Sequence, residues 1–389
     1  MLGFSTYAAL LPELRDEWQL SNAEAGVVSG MFFAGYVATV SLWTALTDRV
    51  DARRIYLAGS VLAALGSAGF GAFAGGFAGA VAFQILLGIG LAATYMPGLR
   101  LLSDRVSGPY QSRTIAFYTS FFGIGTALSL AMAGFIASAY GWRAAFVAAG
   151  AGPLLAGIAI YALLAPLPVQ GASSGLSARN LFPFAAWRRV LADRATAGYT
   201  LGYTAHCLEL FGSRAWMVAF LAFSTGLHSG ASFPWAGATI AAVINLLAVP
   251  ASILGNEVAL RIGRRRWILL VMAASGSLGM VVGAAAPWHW ALVLALLVVY
   301  AMLVMAESGT LTAGLVAAAP PELRGAAMGL YSLVGFGGGL LGPVVFGAAL
   351  DLAGGAASRG AWVAAYAAIG MGCLAAPIVA RIGANRARG

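Results

Sequence analysis

One apolar run holds most of the side chains that could do chemistry. Tyr199, Tyr203, His206, Glu209, Ser213, Arg214 and Trp216 stand between positions 195 and 223. At about 100° per residue, Tyr199, Tyr203, His206, Glu209 and Ser213 share one helix face. His206 and Glu209 are three apart and can touch. Arg214 sits about 140° around from Glu209 by the same count, closer in angle to Tyr203 and His206. Farther on, Glu307 follows Tyr300 by seven residues and opens the polar run Glu307-Ser308-Gly309-Thr310. Histidine titrates near neutral pH, so His206, Glu209 and Glu307 are candidates for handling protons. Arg214 could attract an anionic group, with Tyr203, His206 and Trp216 beside it. The competing reading is a structural polar network that fastens this helix to its neighbours. Both readings stay open at this point.

The elements that must position these groups are membrane spans. Hydrophobic residues make up 61% of the chain and charged residues 9%, against roughly 25% charged in a soluble domain. A soluble fold could not hide that much apolar surface beneath a charged exterior. A spanning helix needs about 20 apolar residues. Such runs lie near 26–46, 55–74, 77–102, 114–138, 144–165, 195–223, 236–258, 267–286, 290–314, 325–350 and 361–380. A shorter apolar stretch, Met1 to Leu14, opens the chain. A charged group at bilayer centre costs roughly 2.5–3.5 kcal/mol on insertion scales, so it is usually paired or lines a water-filled cavity. That is why the polar run at 199–216 stands out.

The connecting loops alternate in charge. One set carries Arg49, Arg53, Arg54; Arg100, Arg105, Arg113; Arg179, Arg188, Arg189, Arg194; Arg261, Arg264, Arg265, Arg266; Arg324; and Arg381, Arg386, Arg388. The other carries Arg15, Arg143 and Arg359. The positive-inside rule places the first set, and the C-terminus, in the cytoplasm. The formal charge of +9 comes from arginine in these loops, which excludes the basic face of a nucleic-acid-binding domain. Cys207 and Cys373 lie in apolar runs of different halves and suggest neither a disulfide framework nor a metal site.

The break at 166–194, with Pro166, Pro168, Gly171, Ser173, Ser174 and Gly175, reads as a cytoplasmic linker. It divides the chain into helical bundles at 1–165 and 195–389. Matching Leu20 to Leu227 sets Tyr7 opposite Arg214 and Met1 opposite Leu208. The first helix then lacks about 13 residues of its counterpart. It is either short and re-entrant or continued upstream of Met1.

Two basic loops fall in matching places. Asp48, Arg49, Arg53 and Arg54 fit the pattern Gly-x-x-x-Asp-Arg-x-Gly-Arg-Arg, with Thr44 for the leading Gly and the internal Gly displaced by Asp51-Ala52. Gly255, Gly263, Arg264 and Arg265 fit a degenerate copy, with Ala259 where the Asp would stand. Gly141-Trp142-Arg143 and Pro321-Glu322-Leu323-Arg324-Gly325 add further matches. On these motifs the chain resembles the major facilitator superfamily over essentially its whole length. The resemblance implies an all-α membrane fold of twelve transmembrane helices in two six-helix pseudo-symmetric bundles, with the first helix partial here. It further implies that Asp48 and its arginines latch an inner gate, with Asn256 and Glu257 in the matching role.

Some patterns argue against narrower readings. Gly123-Ile124-Gly125-Thr126 lacks the Pro common in the fifth helix of drug/proton antiporters, and Gln84 precedes Gly88 where an Arg is often found. Gly337-Gly338-Gly339-Leu340-Leu341-Gly342 fits a dinucleotide fingerprint but has no preceding strand. Without a phosphate loop, metal cluster or nucleophile elbow, the chain is expected to be no enzyme and to need no cofactor. The expectation is a monomeric secondary active transporter of the inner (plasma) membrane. It would move a small organic, anionic solute by alternating access, with protons as a candidate coupling ion. Tyr7, Tyr95 and Arg100 complete the expected substrate contacts. Proton-driven drug efflux and a non-transporting membrane receptor or structural protein are the alternatives.

Overall fold

Polar loop residues set the helix starts. In the computed structural model the Asp51 carboxylate accepts the Arg53 N–H at 3.0 Å and so caps the helix that follows. Asp193 does the same for the long polar-striped helix, accepting from Ala195 and Thr196 at 3.1 and 2.9 Å. In chain order the helices are α1 Thr6–Glu17, α2 Asn22–Leu46, α3 Ala52–Phe73, α4 Phe77–Ser103, α5 Gln111–Leu163 and α6 Phe184–Ala192. Then follow α7 Arg194–Gly226, α8 Gly237–Ile262, α9 Arg264–Ala284, α10 Trp290–Ala306, α11 Ser308–Ala318, α12 Arg324–Leu352 and α13 Arg359–Asn385. The structure describes residues 1–106, 111–167, 182–228 and 233–385, with backbone alone at 111–117, 119–120 and 376–385. Most of the expected linker (Pro168, Gly171, Ser173, Ser174, Gly175 and Arg179) and Arg386 and Arg388 lie outside the described residues.

The fold is all-α, and nine helices among the described residues are long and apolar enough to cross a membrane. The two runs expected at 114–138 and 144–165 both lie in α5. They flank Gly141, whose φ of 80° and ψ of 164° break the helix at a conformation that suits only glycine. The neighbouring residues anchor that break. Trp142 meets Phe70 and Phe146 edge-on at 6.3 and 6.2 Å, and Arg143 lies over the Trp142 ring and bonds the Gly71 carbonyl at 3.2 Å. The run expected at 290–314 is likewise divided, into α10 and α11, with Glu307 at the junction. The dinucleotide-like glycines lie within α12, where Gly338 and Gly342 let it approach the α7 backbone at Thr204 and Leu208.

Backbone packing groups Met1–Leu10 with Met31–Phe184, and Leu11–Gly30 with Ala185–Gly389. In the first unit Phe4 packs edge-on against Phe32 and Phe122 at 5.0 and 5.1 Å, and Phe70 stacks on Phe146 at 3.9 Å. In the second, Trp216, Phe220, Phe346, Trp362 and Tyr366 form a buried aromatic cluster. Large apolar side chains such as Leu65, Phe135, Leu201 and Leu270 are exposed, as lipid-facing surface requires.

Candidate functional site

The polar stripe of α7 turns inward. His206 and Glu209 have no exposed surface, and Ser213 retains 4%. Tyr199 and Tyr203 lean on a core of Ile268, Met272, Leu311 and Cys373 from α9, α11 and α13. Tyr203 stacks on Tyr331 of α12 at 3.8 Å, and the Tyr331 hydroxyl shares a hydrogen bond with Thr312 at 2.9 Å. On its other side Tyr203 faces the His206 ring at 5.7 Å.

His206 and Glu209 do not pair with each other. The His206 Nδ1 lies 3.0 Å from Oε1 of Glu307, which is itself wholly buried. Glu209 accepts the Ser275 hydroxyl of α9 at 2.9 Å, with Tyr300 and Cys373 also facing its carboxyl. Spacing of three residues allows a contact but does not choose it, because partners from packed helices compete. The outer atoms of the pair, His206 Nε2 and Glu307 Oε2, are buried and lack hydrogen-bond partners among the described residues. The stripe is thus a buried polar network joining α7 to α9 and to the α10–α11 junction.

Arg214 is different. It is half-buried, and Nη2 reaches the Met305 sulfur at 3.5 Å. Thioether sulfur is a weak acceptor, and no carboxylate lies within 4.0 Å of this guanidinium among the described residues. Trp216, expected beside it as a substrate contact, is fully buried. Its indole N–H donates to the Pro343 carbonyl at 3.0 Å and its ring stacks on Phe346. With its one donor used and its faces covered, Trp216 serves packing in this structure.

Three other expected substrate contacts lie in the first unit. Tyr7 is 1% exposed and packs edge-on to Phe70 at 6.1 Å, deep in apolar surroundings. Tyr95 is partly buried beside Tyr118 and Phe122, and its carbonyl accepts the Tyr118 hydroxyl at 2.8 Å. Arg100 turns to the basic loop, where it pairs with Asp48, donates to Thr47 at 2.8 Å and reaches Asp104 at 3.4 Å. Arg100 thus has Asp48, Asp104 and Thr47 as its polar partners in this structure.

The residues expected at a gate also find partners that the sequence spacing did not single out. Asp48 takes Arg100 from α4, while Arg53 forms a fork to Asp51 at 2.6 and 2.9 Å. The Arg53 hydrogen bonds and charge hold the Asp51 carboxyl below the usual carboxylate range. Arg53 also donates to the Leu164 carbonyl and Arg105 to the Ala165 carbonyl, the latter at 2.6 Å. Arg49 and Arg54 are exposed. In the second loop Glu257 is exposed, and the partly buried Asn256 keeps its Oδ1 without a hydrogen-bond partner among the described residues. Ala259 is fully buried under the turn at Gly263, so no acid stands where Asp48 stands in the first copy.

Sequence reading missed Ser275, Met305, Asn22 and Asp351. The first two lie in apolar helices with nothing in their neighbours to mark them. Asn22 and Asp351 look like ordinary helix-end residues, yet the structure joins them. Asp351 accepts the Asn22 N–H at 3.2 Å, the Asn22 amide at 2.6 Å and the Ala23 N–H at 2.8 Å.

Long apolar helices around a buried polar network, with apolar side chains turned outward, define an all-α multi-pass membrane protein. The family model described as Major Facilitator Superfamily matches residues 1–343, and the chain belongs to that superfamily. It is a transporter rather than an enzyme. Among curated relatives, the niacin transporter NiaP of Acinetobacter baylyi is 25% identical over 161 residues, 41% of this chain and 36% of that protein. The putative niacin/nicotinamide transporter NiaP of Bacillus subtilis is 25% identical over 173 residues, 44% of this chain and 42% of that protein. These matches span less than half the length of either relative. Among solved structures, a bacterial homolog of the human lysosomal transporter Spinster, inward-facing and unoccupied, aligns with a TM-score of 0.72 and 17% identity. That alignment covers 97% of this chain and 91% of the other.

Proposed function

We propose that this transporter moves a small organic anion by alternating access, together with protons. The observation that carries the reading is Arg214, a half-buried guanidinium within a spanning helix that has a sulfur for a neighbour and no carboxylate within 4.0 Å among the described residues. An unbalanced cation at that depth is costly unless a counter-charge visits it. A substrate carboxylate would supply two acceptor oxygens to its planar fork. The names of the two curated relatives support an aromatic monocarboxylate such as niacin as the first solute to test. Tyr203 and Tyr95 remain proposed aromatic contacts.

Proton handling falls to the buried His206–Glu307 pair, with Glu209 as a second acid in the same unit. An imidazole and a carboxyl in hydrogen-bond contact can share a proton without leaving an isolated charge in apolar surroundings. The bodies expected at 1–165 and 195–389 would rock about the site, with Asp48, Arg49, Arg53 and Arg54 as inner-gate residues. The arginine distribution supports a plasma-membrane location with a cytoplasmic C-terminus.

The test is uptake of radiolabelled nicotinate and benzoate into proteoliposomes with and without an imposed pH gradient. Arg214→Gln is expected to reduce anion uptake about tenfold or more, the effect of losing one charge-assisted contact. Glu307→Gln is expected to remove the response to the gradient. Unchanged uptake of every anion by Arg214→Gln would sink the anion assignment.

A further inference from the structure

Arg214 of α7 and Met305 of α10 meet in a contact that leaves both side chains chemically unfinished. The guanidinium reaches the sulfur at 3.5 Å, and both residues keep part of their surface exposed. Thioether sulfur is a weak acceptor, so the N–H it receives is still open to a better one. The backbones behind the two side chains are held. Val304 and Ala306, which flank the methionine, are buried. The Ala306 carbonyl accepts the Trp267 indole N–H of α9 at 3.1 Å, and a Cβ placed on Gly255 of α8 would strike it. On α7, Ser213, Ala215 and Trp216 beside the arginine are buried too. Little room is left for either residue to withdraw along its backbone.

A thioether is also the group that a peroxide oxidises most simply. The sulfur lone pair attacks one peroxide oxygen, an S–O bond forms and the O–O bond breaks. The departing hydroxide takes the proton from the oxygen left on sulfur and leaves as water. Sulfur is oxidised by two electrons and the peroxide is reduced by two. The product, methionine sulfoxide, is polar where the thioether was apolar. At position 305 its oxygen would stand within reach of Arg214 Nη2 and take the N–H that sulfur holds weakly. Hydrogen bonds from a cation are roughly twice as strong as neutral ones. The acceptor is also tethered, so it does not pay the cost of arriving from solution that a free solute pays.

We propose that Met305 is an oxidation site that closes the anion site from within: its sulfoxide oxygen occupies the Arg214 guanidinium and excludes the solute carboxylate. The inference rests on the reading of Arg214 as the anion contact. It adds a second ligand for the same cation, supplied by the protein itself after reaction with a peroxide. In the thioether state the arginine stays available, because a carboxylate is a far better acceptor than sulfur. Reductases that return methionine sulfoxide to the thioether would reopen the site. Other methionines of the same unit provide internal standards. Met217 and Met272 are buried and closed to an oxidant, whereas Met371 is exposed and open to one.

The test is uptake of radiolabelled nicotinate and benzoate by the reconstituted protein before and after hydrogen peroxide. Peptide mass spectrometry reads which methionines gained oxygen. Met305 is expected to gain it along with Met371, while Met217 and Met272 stay reduced. Uptake by the oxidised parent is expected to fall about tenfold, the effect of losing one charge-assisted contact. Met305→Leu, which nearly keeps the volume but has no sulfur, should transport before treatment and resist peroxide. Met305→Gln, whose amide oxygen stands in for the sulfoxide, should lose uptake with no oxidant present. Uptake is taken per folded protein, and a Met305→Leu that does not fold leaves the decision to Met305→Gln and the peptide map. The proposal fails if Met305 stays reduced while Met371 is oxidised, or if Met305→Gln transports like the parent. It also fails if peroxide lowers uptake equally in the parent and Met305→Leu. Each of these differs from failure of the anion reading, which shows as full uptake by Arg214→Gln and would take this inference with it.

Discussion

The two ends of α2 are held by carboxylates in opposite ways. At Asn22, the Asp351 carboxylate caps backbone N–H groups on a residue with 8% exposure. Past Leu46, Asp48 forms an ion pair with Arg100 in which the side chains keep 50% and 33% of their exposure. Both contacts involve one acid, and only the first satisfies groups that a helix leaves unpaired. Solvent competes for the second and salt screens it. The difference teaches that the motif which identifies the family need not be the stronger fastening. The stronger one here lies at the end that no sequence pattern marks.

The largest contrast should appear in stability. Asp351→Ala is expected to cost about 0.5–2 kcal/mol, the range for losing a helix cap, with about 1 as the typical value. Asp48→Ala is expected to cost about 0–1 kcal/mol, the range for an exposed ion pair. Thermal unfolding of the two variants in one detergent would break the comparison if Asp48→Ala were the more damaging.

A smaller effect should separate the two by ionic strength. Raising salt from about 0.1 to 1 M shortens the screening length from about 10 to 3 Å. That should erase most of the difference between the parent protein and Asp48→Ala, and little of the difference for Asp351→Ala. Parallel melting curves at the two salt levels decide it.

The smallest effect concerns Asp51, which caps α3 just beyond the Asp48 end. Its carboxyl is held below its ordinary range by Arg53. A group whose folded-state value is depressed adds stability that is present above its unfolded value and lost as pH falls through its folded value. Acidification from neutral pH through the ordinary carboxylate range and below should therefore remove an increment that Asp51→Asn lacks. The melting curves of parent and variant should converge at the acid end. A constant gap across pH would show that the cap does not depend on charge.

Periodicity made the α7 stripe legible because helix geometry is local: Tyr199, His206 and Glu209 had to share a side. It could not supply their partners. Glu307 reaches His206 across 101 residues, and Ser275 reaches Glu209 across 66. Such pairings depend on how helices pack, which a single sequence does not encode in any nearby pattern. Arg100 shows the same limit from the other direction. Its place near a helix end was readable, but its pairing with Asp48 depends on α4 lying beside the loop. Trp216 was read as a contact because aromatic side chains serve equally in cavities and cores. In this structure its indole donates to the Pro343 carbonyl within a buried aromatic cluster. Asp351 and Asn22 were invisible because a helix cap is sought within a few residues of the helix it serves.

The arginine held to Asp51 has one more bond, to the carbonyl of Leu164, and Arg105 holds the next carbonyl, Ala165. Two cations from the family's basic loop and its neighbour thus moor the residues that follow the end of α5. Disabling Arg53 would slacken that mooring as well as any gate. A transport defect in an Arg53 variant should therefore be compared with one in Arg105, which shares the mooring and has no place in the motif.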